Sequence, residues 1–307
     1  MKAVVLDKFG SADDLHLVDL PEPKVAPGEV LIRVKAAGVN PVDWKLAAGY
    51  LDPIMETGFP LIPGWDVAGV VERVGLDSPE FAVGDEVYGY ARKDWAKNGT
   101  YAELVSANVR MLARKPSSAT WEQAAGVPLA GLTAYQAIKR AGVTEGDTVL
   151  VHAAAGGVGS LGVQIAAALG ARVIGTASER NHDFLRSLGA EPVAYGEGLA
   201  DRVRALAPEG VDAALDFVGS DEAIDVSFAL ARRADRVVSI AGGRVQEHGG
   251  HIIWVRPDAA DLATLAELID AGKMTIHVDK TLPLAEAAEA WRLSATGRTR
   301  GKIVLTI

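Results

Sequence analysis

The sequence predicts an α/β protein in two parts: a doubly wound parallel sheet over residues 119–273, and a discontinuous, mainly β, barrel-like module built from residues 1–118 and 274–307. Three observations carry this prediction. The first is the stretch 147–178, DTVLVHAAAGGVGSLGVQIAAALGARVIGTAS, in which a β-branched run, a turn of small residues, a helical repeat and a second apolar run follow one another. The second is the alternation of strand and helix signals beyond it, which a parallel sheet with crossover helices requires. The third is the N-terminal portion, where short β-rich runs are separated by turn signals at close intervals.

Taken in order, the β-rich runs are KAVVL, GEVLIRVKAAGV, WDVAGVVERVG, DEVYGY and TYAELVSA, with Pro27-Gly28 and Gly84-Asp85 among the turns between them. Across 119–141 the composition shifts to alanine-rich helical segments, with Pro128 marking a break. Residues 148–151 form the first buried strand, and Gly156, Gly157 and Gly159 the turn. Val158, Leu161, Ile165 and Leu169 then repeat at helical spacing, Gly170 closes that helix, and 172–177 is the second strand. Further strands are predicted at 213–218, 236–241 and 251–255, and helices at 222–230 and 259–271. In the tail come strand-like TIHV from Thr275, a helix over 284–293 and a last strand over 302–307, which on this reading pairs back with the N-terminal module.

A turn free of Cβ atoms can take positive φ and lets a pyrophosphate approach the backbone, while free N–H groups and the positive end of the helix dipole hold its charge. The spacing therefore points to a dinucleotide held at Gly156, Gly157 and Val158. An acidic residue at the end of the second strand would bind the 2′-hydroxyl of NAD and repel a 2′-phosphate; here Ser178 stands there, with Arg180 beside it as a fork of donors. The expected cofactor is NADP(H). Glu179 would weaken that preference if its carboxylate turned inward, and the alternative for Ser178 is a helix cap, with Arg180 on a solvated face. Gly219, Ala241 and Gly242 follow strand ends in FVGS and IAGG, so they are expected to line the cleft on the carboxyl side of the sheet.

At 307 residues the chain has room for one large or two medium domains. A net charge of −9, from 40 acids against 31 bases, argues against nucleic acid or an anionic membrane as main partner. The absence of cysteine removes disulfides, thiolate nucleophiles and cysteine-ligated metals. The start MKAVVLDKFG lacks the apolar core of a signal peptide and no run is long enough to span a bilayer, so a cytoplasmic location is expected. His248 and His251, in EHGGH, flank two glycines and are expected in a solvated loop rather than on a metal.

Several of these pieces together, KAVVLDKFG, PGEVLIRVKAAGVNPVDWKL, PGWDVAGVVERVG, GDEVYG, GTYAEL, GLTAYQA, HAAAGGVGSLGVQIA and the terminal GKIVL, resemble the medium-chain dehydrogenase/reductase superfamily in its zinc-free quinone oxidoreductase branch. The resemblance implies a Rossmann domain for the parallel sheet and a GroES-like fold for the β module. Where the zinc-dependent alcohol dehydrogenases of this superfamily place cysteine, this chain has Asn40, in GVNPVD; where they place histidine, it has Trp65, in GWD. Two of the three protein ligands of a catalytic zinc are thus missing, and no metal is expected. Without zinc to polarise a carbonyl, the implied acceptor is a quinone or an α,β-unsaturated carbonyl, whose charge after hydride transfer is delocalised onto an oxygen.

The resemblance further points to Thr133 at the nicotinamide ring and its ribose, to Trp254 and Val255 holding the carboxamide through backbone groups, to Tyr195 near the adenosine and to Lys302 as an additional cofactor contact. On the acceptor side Asn40 is a candidate donor to the substrate oxygen and Tyr50 a candidate donor of a hydrogen bond or proton, ahead of Asp43. Trp44, Trp65 and residues 51–59 are expected to shape an apolar pocket, and water or the cofactor ribose is an alternative proton source. A homodimer is implied by the resemblance alone. Two other readings stay open: a protein that binds NADPH as a sensor without turnover, and a zinc-type alcohol dehydrogenase.

Overall fold

In the computed structural model, which describes residues 1–307, six short strands lie side by side in parallel. Their order across the sheet is Ala190–Val193, Arg172–Thr176, Thr148–His152, Ala213–Asp216, Val237–Ser239 and His251–Ile252. Numbered along the chain this is 3-2-1-4-5-6, the doubly wound order, whose direction of winding reverses between Thr148–His152 and Ala213–Asp216. Runs such as TVLVH and AALD are apolar without alternation because both faces of a doubly wound sheet are covered by crossover helices. Helices Gly157–Ala168, His182–Ser187, Leu199–Leu206 and Asp221–Leu230 supply the crossovers, and Leu150, Ile174, Val203, Val226 and Val237 pack in one core. This compact unit comprises Gly131–Arg256 and Ala271–Thr275.

The second unit, Met1–Ala130 with Pro257–Asp270 and Ile276–Ile307, is built on the eleven-residue strand Glu29–Val39. Its first part pairs antiparallel with Leu104–Asn108, its length pairs with Asp66–Val74, and its last residues pair with the final strand Lys302–Thr306. Two register shifts against Asp66–Val74 bend the long strand, so one strand serves several partners in a seven-stranded sheet. Lys302–Thr306 also pairs in parallel with Val278–Pro283. Ile32, Val67, Val71, Val87, Val105 and Leu112 form its core.

This division differs from the sequence-based bounds at three places, each for a local reason. Met274 and Thr275 fall in the parallel-sheet unit, where the Thr275 N–H donates to Gln164 Oε1 at 2.8 Å. Residues up to Ala130 belong with the β unit, where the Leu129 N–H donates to Asp66 at 2.7 Å. Pro257–Asp270 belongs there too: the Tyr88 hydroxyl donates to the Leu262 carbonyl at 2.5 Å, and the backbone N–H groups of Ser117 and Ser118 donate to Asp270 at 3.1 and 2.9 Å.

Several elements are shorter than their apolar runs. The strand expected at 213–218 stops at Asp216, the one at 236–241 is Val237–Ser239, and the one at 251–255 is only His251–Ile252, which leaves Trp254 and Val255 beyond it. His251 is therefore an edge-strand residue rather than a loop residue, and the His248 ring lies 5.0 Å from that of Phe228. The strand expected at TIHV begins only at Val278. Helix Pro41–Ala47, inside a module expected to be all β, spans seven residues, too few for a 3.6-residue repeat to stand out. It starts where Asp43 accepts the Asn40 N–H at 2.8 Å and where proline fills the first helical position.

Candidate active site

Strand Thr148–His152 runs into a turn whose one strained residue is Ala153, at φ +52°. Positive φ was expected at the glycines; Gly156 instead has φ −77° and caps helix Gly157–Ala168. The glycines are needed for proximity. A Cβ on Gly159 would lie 2.2 Å from the Ala153 carbonyl oxygen and 2.7 Å from the Ala154 Cα, so only glycine lets the helix start this close to the strand end. The N–H groups of Gly157 and Val158, in the first turn, have no intrahelical acceptor and face the loop end with the positive end of the dipole. That arrangement suits an anionic phosphate.

Two further strand ends are tied together by residues that the sequence reading missed. Asp216, buried at the end of its strand, accepts the N–H groups of Val218 at 3.0 Å and Gly219 at 2.9 Å through Oδ1, and the Ser239 hydroxyl at 2.7 Å through Oδ2. Ser239 Oγ in turn accepts the N–H groups of Gly242 at 2.9 Å and Ala241 at 3.3 Å. One carboxylate therefore shapes both loops that carry Gly219, Ala241 and Gly242. Gly219 takes φ +77°, and a Cβ there would meet Ala241 at 2.7 Å, so the loops also depend on its missing side chain. The available signal was an aspartate ending an apolar strand just before small residues, in ALDFVG.

His152 ends the first strand with its ring buried, Nε2 3.1 Å from Ser227 Oγ. Burial pushes its pKa down to about 4, against the opposing field of Asp216, so it is neutral at pH 7. At the end of the second strand Ser178 precedes the short turn Glu179–Asn181, yet its side chain makes no capping hydrogen bond. Glu179 and Arg180 are both exposed, and neither enters an ion pair. Tyr195 is 60% exposed, Trp254 is exposed, Val255 is half-buried and Thr133 is buried on helix Pro128–Ala141.

The β unit gathers the remaining predicted residues differently from expectation. Asn40 and Lys302 are buried and spent on each other: Lys302 Nζ donates to Asn40 Oδ1 at 2.5 Å and to the Val39 carbonyl at 3.1 Å. Asn40 Nδ2 donates to Asp66 Oδ2 at 2.8 Å, and Lys302 Nζ lies 3.8 Å from the same oxygen. Lys302 is thus an internal cation of the β unit, and Asn40 presents no side-chain group at the surface. Trp65 is core, packed edge-on to Tyr90 with ring centroids 6.0 Å apart. Trp44 is half-buried, with Nε1 buried and unpartnered, while Tyr50, on the turn after helix Pro41–Ala47, is 70% exposed. A groove of about 640 Å³ in this unit, lined by Phe81, Leu112, Arg114 and helix Ala259–Asp270, touches none of the predicted site residues.

Asp43 sits beside this cluster, its Oδ2 accepting the Tyr101 hydroxyl at 2.9 Å while its Oδ1 has no partner. Burial raises the Asp43 pKa to about 7, against hydrogen bonds from Asn40 and Tyr101, and raises Asp66 to about 6, against Lys302 and its hydrogen bonds. Burial lowers the pKa of Lys302. The native state thus holds carboxyl protons that the unfolded chain, with its ordinary value of 3.8, releases, so these two groups make stability fall as pH rises from about 4 to 7. His152 acts in the opposite sense between about 4 and its ordinary 6.5. Asp43→Asn places an amide where the protonated carboxyl sits and is expected to flatten the fall by about one proton, or about 1.4 kcal/mol per pH unit. Denaturant titrations at pH 5, 6 and 7 check this; an unchanged slope would show that Asp43 is ionised throughout.

Two family models match: the alcohol dehydrogenase GroES-like domain over residues 26–117 and a zinc-binding dehydrogenase model over residues 188–305. A solved quinone oxidoreductase from Coxiella burnetii is 36% identical, with a TM-score of 0.86 over 100% of this chain and 99% of that one. The chain belongs to the quinone oxidoreductase branch of the medium-chain dehydrogenase/reductase superfamily. It is an oxidoreductase with a Rossmann-like and a GroES-like domain. Other members of the superfamily include the chloroplast envelope quinone oxidoreductase homolog of Arabidopsis thaliana, 30% identical over 96% of this chain and 95% of the relative. The NADPH-dependent alkenal/one oxidoreductase of the same plant is 32% identical over 99% of this chain and 79% of the relative. No helix of this family member is long and apolar enough to cross a membrane.

Proposed function

We propose that the chain is an NADPH-dependent, metal-independent reductase that passes hydride to a quinone or an α,β-unsaturated carbonyl. The observation that carries the cofactor assignment is the end of the second strand, where Ser178 is not spent on a cap and Arg180 has no ion partner. Ser178 Oγ only accepts a 3.4 Å bond from Asn181 Nδ2, so its hydroxyl proton and the Arg180 guanidinium can meet a 2′-phosphate. Serine rather than an acid ends the strand, and the neighbouring Glu179 carboxylate is solvent-exposed. Relatives named quinone oxidoreductase and NADPH-dependent alkenal/one oxidoreductase favour this substrate class. The donor set does not suit zinc. Asn40 and Trp65 replace two ligands, an ammonium already sits against Asn40, and no group of three His, Cys, Asp or Glu side chains is arranged around a common point.

NADPH, when bound, supplies the hydride. The chain's residues do the rest: the N–H groups of Gly157 and Val158 hold the pyrophosphate, with Gly156 allowing its approach, and Ser178 and Arg180 select the 2′-phosphate. The loops with Gly219, Ala241 and Gly242, together with Thr133, Trp254 and Val255, orient the nicotinamide half, and Tyr195 covers the adenosine. Tyr50, exposed and able to donate, is assigned to the acceptor oxygen as its negative charge develops. Asn40 acts indirectly, through Asp66 and Lys302. The same reading makes the chain a cytoplasmic homodimer, paired through the outer strand His251–Ile252.

Loss of NADPH absorbance against a panel of quinones and enones tests the activity, and binding without oxidation by any acceptor would favour a sensor. Arg180→Ala is expected to lower the NADPH-over-NADH ratio of kcat/KM by roughly ten- to a hundredfold, the worth of a charge-assisted hydrogen bond or two. An unchanged ratio would remove Arg180 from the cofactor site.

A further inference from the structure

The buried polar cluster of the β unit is richer than its fold requires. Lys302 on the last strand meets Asn40 at the head of helix Pro41–Ala47 and Asp66 at the head of strand Asp66–Val74. Asp66 Oδ1 also takes the Leu129 N–H, at the start of helix Pro128–Ala141. Four element ends distant in sequence thus converge on one ammonium and one carboxylate. Replacing a buried ion pair by apolar side chains of similar shape is often neutral or stabilising, so stability alone is a weak reason for lysine here.

Unsatisfied polar atoms also collect around the cluster. Asp43 Oδ1, Trp44 Nε1, the Tyr90 hydroxyl and Thr100 Oγ1 are all buried without partners. Tyr90 packs on Trp65, and the Thr100 N–H donates to the Gly64 carbonyl beside it. Such atoms are uncommon in a core selected only for stability and recur where arrangement is held for function.

We infer that Lys302 is a positioning residue for the acceptor side of the reaction: its ammonium holds Asn40 and Asp66 together, and through them fixes Trp44, Trp65 and the start of helix Pro128–Ala141. The inference rests on the reductase reading. It also reassigns Lys302, which the sequence had suggested as a cofactor contact.

The test uses the full chain carrying Lys302→Met, Lys302→Arg or the pair Lys302→Met/Asp66→Asn, with NADPH affinity by fluorescence, steady-state rates with 1,4-benzoquinone, thermal midpoint, and hydrogen exchange of peptides covering 38–47 and 125–133. Lys302→Met is expected to leave NADPH Kd within about twofold and to lower kcat for benzoquinone by roughly ten- to a hundredfold, the scale of a small misplacement of reacting groups. Exchange should quicken in those two peptides. Lys302→Arg, which keeps the charge, should fold and regain part of the rate; the charge-neutral pair should regain thermal midpoint but not kcat. Should Lys302→Met fail to fold, Lys302→Arg and the pair carry the comparison. If kcat and KM stay within about twofold while only the midpoint falls, Lys302 is structural and the inference is wrong. If NADPH Kd weakens as much as kcat, it serves the cofactor and the inference is equally wrong. A wild-type chain that reduces no acceptor sinks the reductase reading by itself, and unchanged exchange at 38–47 then overturns the positioning role separately.

Discussion

Gly159→Ala is expected to weaken NADPH binding by about a hundredfold or more and to lower stability by about 1–3 kcal/mol. The added Cβ would sit 2.2 Å from the Ala153 carbonyl oxygen and 2.7 Å from the Ala154 Cα, both backbone atoms that cannot rotate away. Relief requires the first turn of helix Gly157–Ala168 to move by about an ångström, and hydrogen bonds lose their geometry over that distance. Bonds from backbone N–H groups to a phosphate are charge-assisted, each worth about 1.5–3 kcal/mol, so losing or stretching two yields the expected factor. Gly243→Ala is the control, because a Cβ there meets nothing within 4 Å. Fluorescence titration with NADPH and denaturant unfolding measure the two effects. Affinity retained within about threefold would mean that the phosphate does not lie on this turn.

The second large effect is expected at Asp216. Asp216→Ala removes the acceptor for the N–H groups of Val218 and Gly219 and for the Ser239 hydroxyl, all at 3.0 Å or less. Donors left without a buried partner cost about 1–3 kcal/mol each, and water will satisfy some of them, so the expected loss is roughly 3–5 kcal/mol. The loops that carry Gly219, Ala241 and Gly242 lose their common anchor, and NADPH affinity is expected to fall by at least about tenfold. Ser239→Ala removes only the outer half of the bridge and should cost about 1–2 kcal/mol. Because the two side chains act through one hydrogen bond, their effects should be clearly non-additive in a double-mutant cycle. A stability loss with unchanged NADPH affinity would make the bridge a structural device with no part in cofactor binding.

The contrast between these two sites explains what could be read from the chain. The strand, glycine turn, helix and strand over 147–178 were legible because each is a local pattern: a β-branched run, residues without Cβ atoms, and a 3.6-residue apolar repeat. The conformational detail was less so. Positive φ was expected at the glycines and falls on Ala153, since the glycines are there for what lies across from them, which spacing does not reveal. Asp216 went unnoticed because its partner Ser239 is 23 residues away and each residue alone is unremarkable at a strand end.

The acceptor side was harder still. Asn40 and Trp65 were singled out by resemblance, and their positions at the heads of a helix and a strand follow from local sequence. What their side chains do does not. Lys302 is 262 residues from Asn40, and their contact exists only because the final strand pairs back with Glu29–Val39.

The sequence by itself determined the two-part α/β architecture, the glycine turn and the serine-arginine pair after the second strand, because short-range sterics, periodicity and charge type act between neighbours in the chain. Tertiary structure alone decided which polar groups remain available. Arg180 has no ion partner and the Ser178 hydroxyl only accepts a long bond from Asn181 Nδ2, at 3.4 Å, whereas Asn40, Asp66 and Lys302 are committed to one another. The physical reason is that a buried donor or acceptor must find its partner wherever the packed chain happens to bring one, and sequence separation carries no information about that distance.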